Sequence, residues 1–210
     1  MAIVPILELP HPMLRRRARK VRGIDRKVLE IANNMVETMH DAGGVGLAAN
    51  QIGILQRIIV IQMMEEEEAR VYINPEIIKR EGEREVEEGC LSIPGYRGMI
   101  QRSVWVRFGA LDHTSTVVKL KAEGLLSQAL EHEVDHLNGI LYIDHLKSHD
   151  DFYKIEPDDV SQDESEGEGS VENEVEVDQG LGTKDSEQSD GEGSAASLTV
   201  TEAGRIVRLK

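Results

Sequence analysis

Two histidines four residues apart, with a glutamate directly after the first, are the residues in this chain best suited to chemistry. They are His132, Glu133 and His136. On a helix, positions i and i+4 lie on the same face, so both imidazoles can bind one metal ion. A divalent metal lowers the pKa of bound water from about 15.7 toward ~7, and Glu133 would lie close enough to take the proton. The spacing therefore indicates a metal-dependent hydrolase.

The helix that must carry this motif is predicted from apolar residues at helical spacing. Leu126, Leu130, Val134 and Leu137 recur on one side, and Gly139 follows where a C-terminal cap belongs. A pair of histidines can occur on an exposed helix by chance. A motif on a helix with a buried face is harder to explain in that way.

A third metal ligand must come from another segment, because two histidines do not hold a catalytic metal. Cys90 is the single cysteine, and it lies between Gly89 and a Ser-Ile-Pro turn. A lone cysteine is most often a small buried hydrophobic residue. Here, however, its side chain could face a cavity, and one thiolate with two imidazoles would leave the fourth tetrahedral position for water.

A run of small, uncharged residues spans positions 44 to 53, with the sequence GVGLAANQIG. Such a run allows another backbone or a bound peptide to approach closely. It is not a phosphate loop, because the lysine is missing and the glycine spacing is wrong. Tight packing within the protein is the alternative interpretation.

Three blocks of this sequence together resemble the peptide deformylase family. They are GVGLAANQ at positions 44 to 51, EGCLS at 88 to 92 and HEVDH at 132 to 136. The resemblance covers roughly residues 1 to 147. It implies an enzyme that removes the formyl group from the N-terminal methionine of newly made chains, so that nascent formyl-methionyl peptides are its partners.

The resemblance also implies roles for individual residues. Cys90, His132 and His136 would bind the metal, and Glu133 would act as general acid and base. The amide of Gln51 and the backbone N–H of Leu91 would stabilise the oxyanion. Residues that would contact the substrate backbone in a strand-like manner are Val45, Gly46 and Gly89.

The resemblance implies one divalent metal per chain. Members of the family generally use Fe(II), which we expect in the cell. Zn(II), Ni(II) and Co(II) suit the same ligands and are alternatives in purified protein. The general order of metal affinities for such a site does not select one of these ions. Around the ligands, we expect Glu88 to pair with Arg102, and Asp135 to hydrogen-bond to nearby backbone.

The charge of the chain is concentrated in one segment. The formal net charge is −15, and residues 156 to 194 contribute −14 of it through fifteen acidic residues and one lysine. Such a segment cannot bury enough apolar surface to fold. We therefore expect a catalytic domain at 1 to 150, a disordered acidic tail at 151 to 196, and a short segment at 197 to 210. For the last segment, a strand or docking peptide and a frayed tail are equal alternatives.

Partners and location follow from the same features. The resemblance makes the ribosome a candidate partner, since bacterial members of the family often end in a basic helix that helps docking there. Here the acidic tail takes the place of that helix, so docking by this route is not expected. The sequence contains no apolar run of transmembrane length and no secretory signal. A single cysteine suits a reducing compartment. We expect a cytoplasmic monomer.

The middle of the chain is predicted to be rich in strands. An amphipathic helix should begin after Asp25 and end before Gly43, and strands are predicted at 57 to 62, 70 to 78, 103 to 110 and 116 to 122. Strands in a block favour an α+β fold with antiparallel sheets. The expected architecture is antiparallel β-sheets packed around a central C-terminal metal-binding helix, with an N-terminal amphipathic helix.

A basic segment near the N-terminus contains six Arg or Lys residues between positions 15 and 22. We interpret it as a solvated face rather than a binding patch.

Two other functions must be weighed against deformylation. A zinc metallopeptidase would need a further His or Glu ligand, for which His145 and His149 are the nearby candidates, though neither has the spacing that such peptidases use. A non-catalytic metal-binding or scaffolding protein, acting through its acidic tail, would not need Gln51 or Glu133.

Overall fold

The computed structural model describes residues 2 to 155 and three short strands at 175 to 176, 198 to 200 and 206 to 208. Two α-helices and eleven strands are formed in this part of the chain, together with four short 3-10 helices. The helices are α1 (Arg26–Asp41) and α2 (Gly124–Asn138). The strands are β1 (Gly46–Ala48), β2 (Ile58–Ile61), β3 (Arg70–Glu81), β4 (Arg84–Cys90), β5 (Ile93–Arg102), β6 (Trp105–Leu111), β7 (Val117–Glu123), β8 (Phe152–Lys154), β9 (Val175–Glu176), β10 (Leu198–Val200) and β11 (Ile206–Arg208).

The chain divides into two compact units, Met1–Asp178 and Gln179–Lys210. The first contains a six-stranded sheet, in the order β1-β2-β3-β6-β7-β9, and a three-stranded sheet, β4-β5-β8. All of their strand pairs are antiparallel. The second unit contains the antiparallel pair β10 and β11. This arrangement confirms the predicted α+β class with antiparallel sheets.

Helix α1 forms where the sequence predicts it. The side chain of Asp25 accepts a hydrogen bond from the backbone N–H of Val28 (2.9 Å), which caps the first turn. Met35 and Met39 are completely buried, and burial of each contributes about 1.5–3 kcal/mol. The helix thus packs its apolar face beneath β1 and β2.

Helix α2 packs against the six-stranded sheet through the predicted apolar residues. Leu126, Leu130, Val134 and Leu137 share one buried cluster with side chains of β2, β3, β6 and β7. The helix ends at Gly139, whose φ of 78° is left-handed. A Cβ there would also lie 2.5 Å from the carbonyl oxygen of Arg15, so only glycine fits.

The three-stranded sheet was not predicted from the sequence. Cys90 is the last residue of β4, and a two-residue turn leads into β5 at Ile93. The sheet also extends past the predicted domain boundary at residue 150, because β8 pairs with β5 and Phe152 stacks on Tyr96 at 4.9 Å. The rest of the predicted tail, apart from β9, lies outside the described residues. The division at 150 and 196 stays a prediction.

One general property of the helices concerns membranes. Within the described part of the chain, no helix combines the length and apolar composition needed to cross a bilayer.

Candidate active site

Three ligand atoms from two distant segments converge in the structure. The Sγ of Cys90 lies 3.1 Å from Nε2 of His136, which lies 3.2 Å from Nε2 of His132. All three ligand atoms lie within 4.8 Å of one another. Metal–ligand bonds of about 2.0–2.3 Å in a tetrahedral site imply ligand separations of about 3.3–3.6 Å. The donor set and its spacing therefore fit one divalent metal ion.

The fold brings these ligands together from opposite directions. His132 and His136 lie one turn apart on α2, with their rings at 76° to each other and their Nε2 atoms 3.2 Å apart. Cys90 reaches this centre from the end of β4, and the backbone N–H of Ser92 donates to its sulfur at 3.3 Å. The small sheet thus supplies the ligand that the helix lacks.

Burial and neighbouring charges act differently on the two imidazoles. Burial lowers the pKa of His136 well below its ordinary value, and the nearby His132 adds to this effect. His136 is therefore neutral, as a metal ligand must be. For His132, burial also lowers the pKa, but Cys90 and Glu88 outweigh it and raise the pKa well above the ordinary value.

A buried network of charged side chains holds His132 in place. Nδ1 of His132 bonds to Glu88, and Arg102 donates two hydrogen bonds to the same carboxylate at 2.8 and 3.0 Å. Burial raises the pKa of Glu88, but the hydrogen bonds from His132 and Arg102 lower it to about 2. The predicted pair of Glu88 and Arg102 is confirmed, and it fixes the ring orientation of a metal ligand.

The prediction that Asp135 hydrogen-bonds to nearby backbone was wrong. Its carboxylate does not bond to backbone: it accepts from Arg102 at 2.5 Å and from Nε2 of His145 at 2.9 Å. Arg102 lies far from Asp135 in sequence, and helical spacing gives no information about such a tertiary pair. Asp135 therefore extends the network from the metal ligands to the partly exposed His145.

We expect Arg102→Met to destabilise the protein strongly. The substitution would leave the buried carboxylates of Glu88 and Asp135 without their common cation, which should cost about 3–5 kcal/mol of unfolding free energy. Chemical denaturation monitored by circular dichroism measures this change. The matched control is Arg15→Met, which removes an exposed ion pair with Asp144 and should cost about 0–1 kcal/mol. Equal losses in both variants would contradict a special role for the network.

Glu133 lies on α2 beside the ligands and is almost completely buried. Its Oε1 faces Gly46, where a Cβ would come within 2.5 Å, and its Oε2 has no hydrogen-bond partner in the described structure. Burial raises its pKa to about 7. Such a carboxyl group can hold or release a proton near neutral pH, which suits a general acid and base.

The side-chain amide of Gln51 lies next to the sulfur of Cys90. Its Nε2 is 3.7 Å from the sulfur of Cys90 and donates to Oγ of Ser92 at 3.2 Å, while its Oε1 accepts from the backbone N–H of Ala48 at 2.8 Å. The amide is therefore fixed with its donor side toward the metal site.

Two supporting residues were missed by the sequence analysis. Asn50 is completely buried, and its Nδ2 donates to the carbonyl oxygen of His136. Ser92 bonds to both Gln51 and Cys90. Both lie inside the quoted motifs, so their positions next to Gln51 and Cys90 could have indicated them.

The four remaining predicted residues lie around the same centre. Gly46 contacts Glu133, and the carbonyl of Val45 accepts a hydrogen bond from Gln62 N at 2.9 Å. Leu91 follows Cys90 in the turn after β4, and its side chain approaches Gly44. Gly89 is exposed and precedes Cys90. Their roles toward a substrate stay predictions.

The further His or Glu ligand that a metallopeptidase would need, downstream of the two histidines, is not found among the described residues. Within that part, Cys90, His132 and His136 form the one group of three or more potential ligands close enough to share a metal. His145 bonds to Asp135, and His149 lies in an exposed turn.

Comparisons with known proteins agree with this site. The model of the polypeptide deformylase family matches residues 3–152. A peptide deformylase of Dehalococcoides mccartyi strain BAV1 is 49% identical over 164 residues, which is 78% of this chain and 98% of that protein.

Solved structures are similar over the same region. A peptide deformylase from Legionella pneumophila is 44% identical, with a TM-score of 0.67 over 69% of this chain and 86% of that one. A class I type b peptide deformylase from Acinetobacter baumannii, solved with Met-Ala-Ser bound, is 30% identical, with a TM-score of 0.66 over 69% and 99%. This chain belongs to the polypeptide deformylase family.

Proposed function

We propose that this protein hydrolyses the formyl amide at the N-terminal methionine of newly made polypeptides and releases formate. The observation that carries the proposal is the convergence of the Cys90 sulfur and two imidazoles beside Glu133 and Gln51. Met-Ala-Ser, the peptide bound in the Acinetobacter baumannii structure, is what deformylation of formyl-Met-Ala-Ser would yield.

Cys90, His132 and His136 are the residues that would hold the metal. A divalent ion there would supply the Lewis acidity that makes water nucleophilic near neutral pH. We propose Fe(II) as the native ion, with Zn(II), Ni(II) or Co(II) as alternatives in purified protein. A thiolate with two imidazoles suits all four ions.

Glu133 is proposed to move the proton. It takes the proton that the attacking water loses and passes it to the methionine nitrogen as the C–N bond breaks. Its pKa of about 7 matches both steps, because a group of this pKa accepts and releases protons with similar ease at neutral pH.

The oxygen of the formyl group is proposed to accept hydrogen bonds from Gln51 Nε2 and the backbone N–H of Leu91. Negative charge develops on this oxygen as water adds to the carbon. Removing one such fixed donor typically costs ~3 kcal/mol of transition-state stabilisation. Gln51 is suited to this role because its other amide atom is anchored to Ala48.

The peptide itself is proposed to bind along β1. This strand lies at one end of the six-stranded sheet. Strand β2 pairs with one side of it, and no described strand pairs with the other side. An extended peptide can add to such an edge through main-chain hydrogen bonds. Val45 and Gly46 would provide this contact on one side, and Gly89 would provide it on the side of Cys90.

We expect Gly46→Ala to impair catalysis without unfolding the protein. The new Cβ would lie 2.5 Å from Oε1 of Glu133 and displace the carboxylate. A displacement of about 1 Å can reduce a rate about 10²-fold, so kcat/KM for formyl-Met-Ala-Ser should fall by roughly that factor. Gly23→Ala is the matched control, because a Cβ at Gly23 meets no atom within 4 Å. Similar activity in the two variants would contradict the predicted contact.

The proposed function is tested by the products formed from three peptides. The metal-loaded protein should release formate from formyl-Met-Ala-Ser, leave acetyl-Met-Ala-Ser intact, and cleave no internal bond of a longer formylated peptide, as measured by coupled formate detection and mass spectrometry. Cleavage of internal bonds would instead indicate a metallopeptidase. Metal binding without turnover would indicate a non-catalytic protein.

Several expectations about the whole protein remain part of the proposal. We propose a cytoplasmic monomer with its catalytic domain at residues 1 to 150, because its substrates are newly made chains and its one cysteine suits a reducing compartment. Ribosome docking through a basic C-terminal helix is not part of the proposal, since residues 156 to 194 carry a net charge of −14.

A further inference from the structure

The N-terminal basic segment, predicted from the sequence to be a solvated face, forms an exposed cationic ridge together with Arg26 and Lys27 of α1, and the proposed reaction does not use it. We define the ridge by six exposed side chains: Arg17, Arg19, Lys20, Arg22, Arg26 and Lys27. In the described part of the chain, none of the six forms an ion pair or a side-chain hydrogen bond. Neighbouring Arg15, in contrast, pairs with Asp144. Residues 17 to 27 thus carry six cations and one carboxylate, Asp25, and this excess of positive charge attracts anions.

The backbone of the ridge is held firmly on the protein surface. Ala18 N donates to Leu137 O at 2.8 Å, and Arg19 bonds through its N–H to Leu55 O (3.0 Å) and through its carbonyl to Arg57 N (2.9 Å). Val21 makes two hydrogen bonds to the side chain of Asn74, at 2.8 and 2.9 Å. The cations are therefore presented by an ordered segment and would lose little backbone entropy on binding.

The inward and outward faces of the segment differ in their exposure to solvent. Ala18 and Val21 are buried, whereas the six cationic side chains of the ridge are exposed. Lys20, Arg22 and Lys27 line one groove at the start of α1. Asp25 lines the same groove, so an anion there would meet three cations and one carboxylate.

We propose that the cationic ridge binds the phosphate backbone of RNA. Four of the six cations are arginines, whose planar guanidinium groups match phosphate oxygens in a bidentate manner. The ridge exposes no large apolar side chain, whereas a protein interface has an apolar centre and a membrane-surface helix inserts apolar residues. Contacts made only by charge are typical of sequence-independent backbone binding.

The test uses the full chain and a fluorescein-labelled oligouridine, with fluorescence anisotropy measured between about 50 and 200 mM KCl. Each phosphate contact to a single strand contributes about −0.7 to the slope of log K against log salt. Combined Arg17→Ser, Arg19→Ser and Arg22→Ser changes should therefore make the slope shallower by about 2 and weaken binding at least 10-fold at 100 mM.

The matched control removes three exposed cations elsewhere: Arg107→Ser, Lys147→Ser and Lys154→Ser. It should bind RNA within about 2-fold of the unmodified chain. Both variants should retain formate release from formyl-Met-Ala-Ser, which shows that they are folded. No RNA binding at 50 mM KCl, or equal weakening by the control, would overturn the proposal. Equal binding to polyglutamate of matched charge, or to anionic vesicles, would also overturn it by assigning the ridge to another class of partner.

Discussion

Replacing Glu133 with glutamine is expected to lower kcat/KM for formyl-Met-Ala-Ser by about 10³–10⁴-fold, close to the full contribution of a general acid and base. Glutamine has nearly the same shape but cannot accept the proton of the attacking water. Glu133 is 4% exposed, and the three atoms nearest to a Cβ built at Gly46 all belong to its side chain. Formate release measures the effect.

Metal content separates this catalytic role from a ligand role. Glu133 is not one of the three converging donors, so Glu133→Gln should keep the same metal stoichiometry and a similar Tm. A variant that retains more than a tenth of the activity would rule out Glu133 as the main proton carrier. A variant that loses the metal would instead make Glu133 a ligand.

Replacing Cys90 with serine is expected to abolish measurable activity by removing the sulfur ligand. A serine hydroxyl stays protonated at neutral pH and is a poor substitute for a thiolate. Loss of a residue that only orients a ligand typically costs 10–100-fold in metal affinity, so loss of the ligand itself should cost at least about 10³-fold. Competition with a chelator, followed by elemental analysis, measures the affinity.

The control for this prediction is Ser92→Ala. Ser92 also lies in the turn after β4, and its hydroxyl accepts a hydrogen bond from Gln51 without being a ligand. This variant should bind metal within about 2-fold of the unmodified chain, well below the 10–100-fold cost of losing a residue that orients a ligand. If Cys90→Ser keeps full metal affinity, the sulfur is not a ligand and the proposed site is wrong.

The two helices can be predicted from the sequence because their signals are local. Asp25 caps the first helix, and apolar residues of both helices recur every three or four positions. The strands β2, β3, β6 and β7 are similarly visible, since each is rich in β-branched or alternating residues. These elements form the layer that positions the histidines.

The small sheet cannot be predicted in the same way. Strand β4 consists mostly of charged residues, and β5 contains Pro94, Gly95 and Gly98, which are all unfavourable within strands. Its stability comes from pairing with β8 and from buried contacts of Leu14, Val86 and Ile100, which are distant in sequence. No local pattern contains that information.

The features of the site also differ in whether the sequence alone can predict them. The pairing of His132 with His136 follows from helical spacing, but the approach of Cys90 depends on the fold of the small sheet. The bonds from Arg102 to Asp135 and from Asn50 to His136 likewise join residues far apart in sequence. The sequence could identify the ligands by their chemistry and the pair of Glu88 with Arg102, whereas the other bonds of the supporting network required the tertiary structure.

One measurement tests the central claim most directly: formate release during anaerobic addition of Co(II) or Fe(II) to metal-free protein. With Cys90, His132 and His136 as the shared ligands of one catalytic ion, activity should rise linearly and stop at one equivalent per chain. Full activity in the absence of metal, or a plateau at two equivalents, would contradict a single metal held by these three residues.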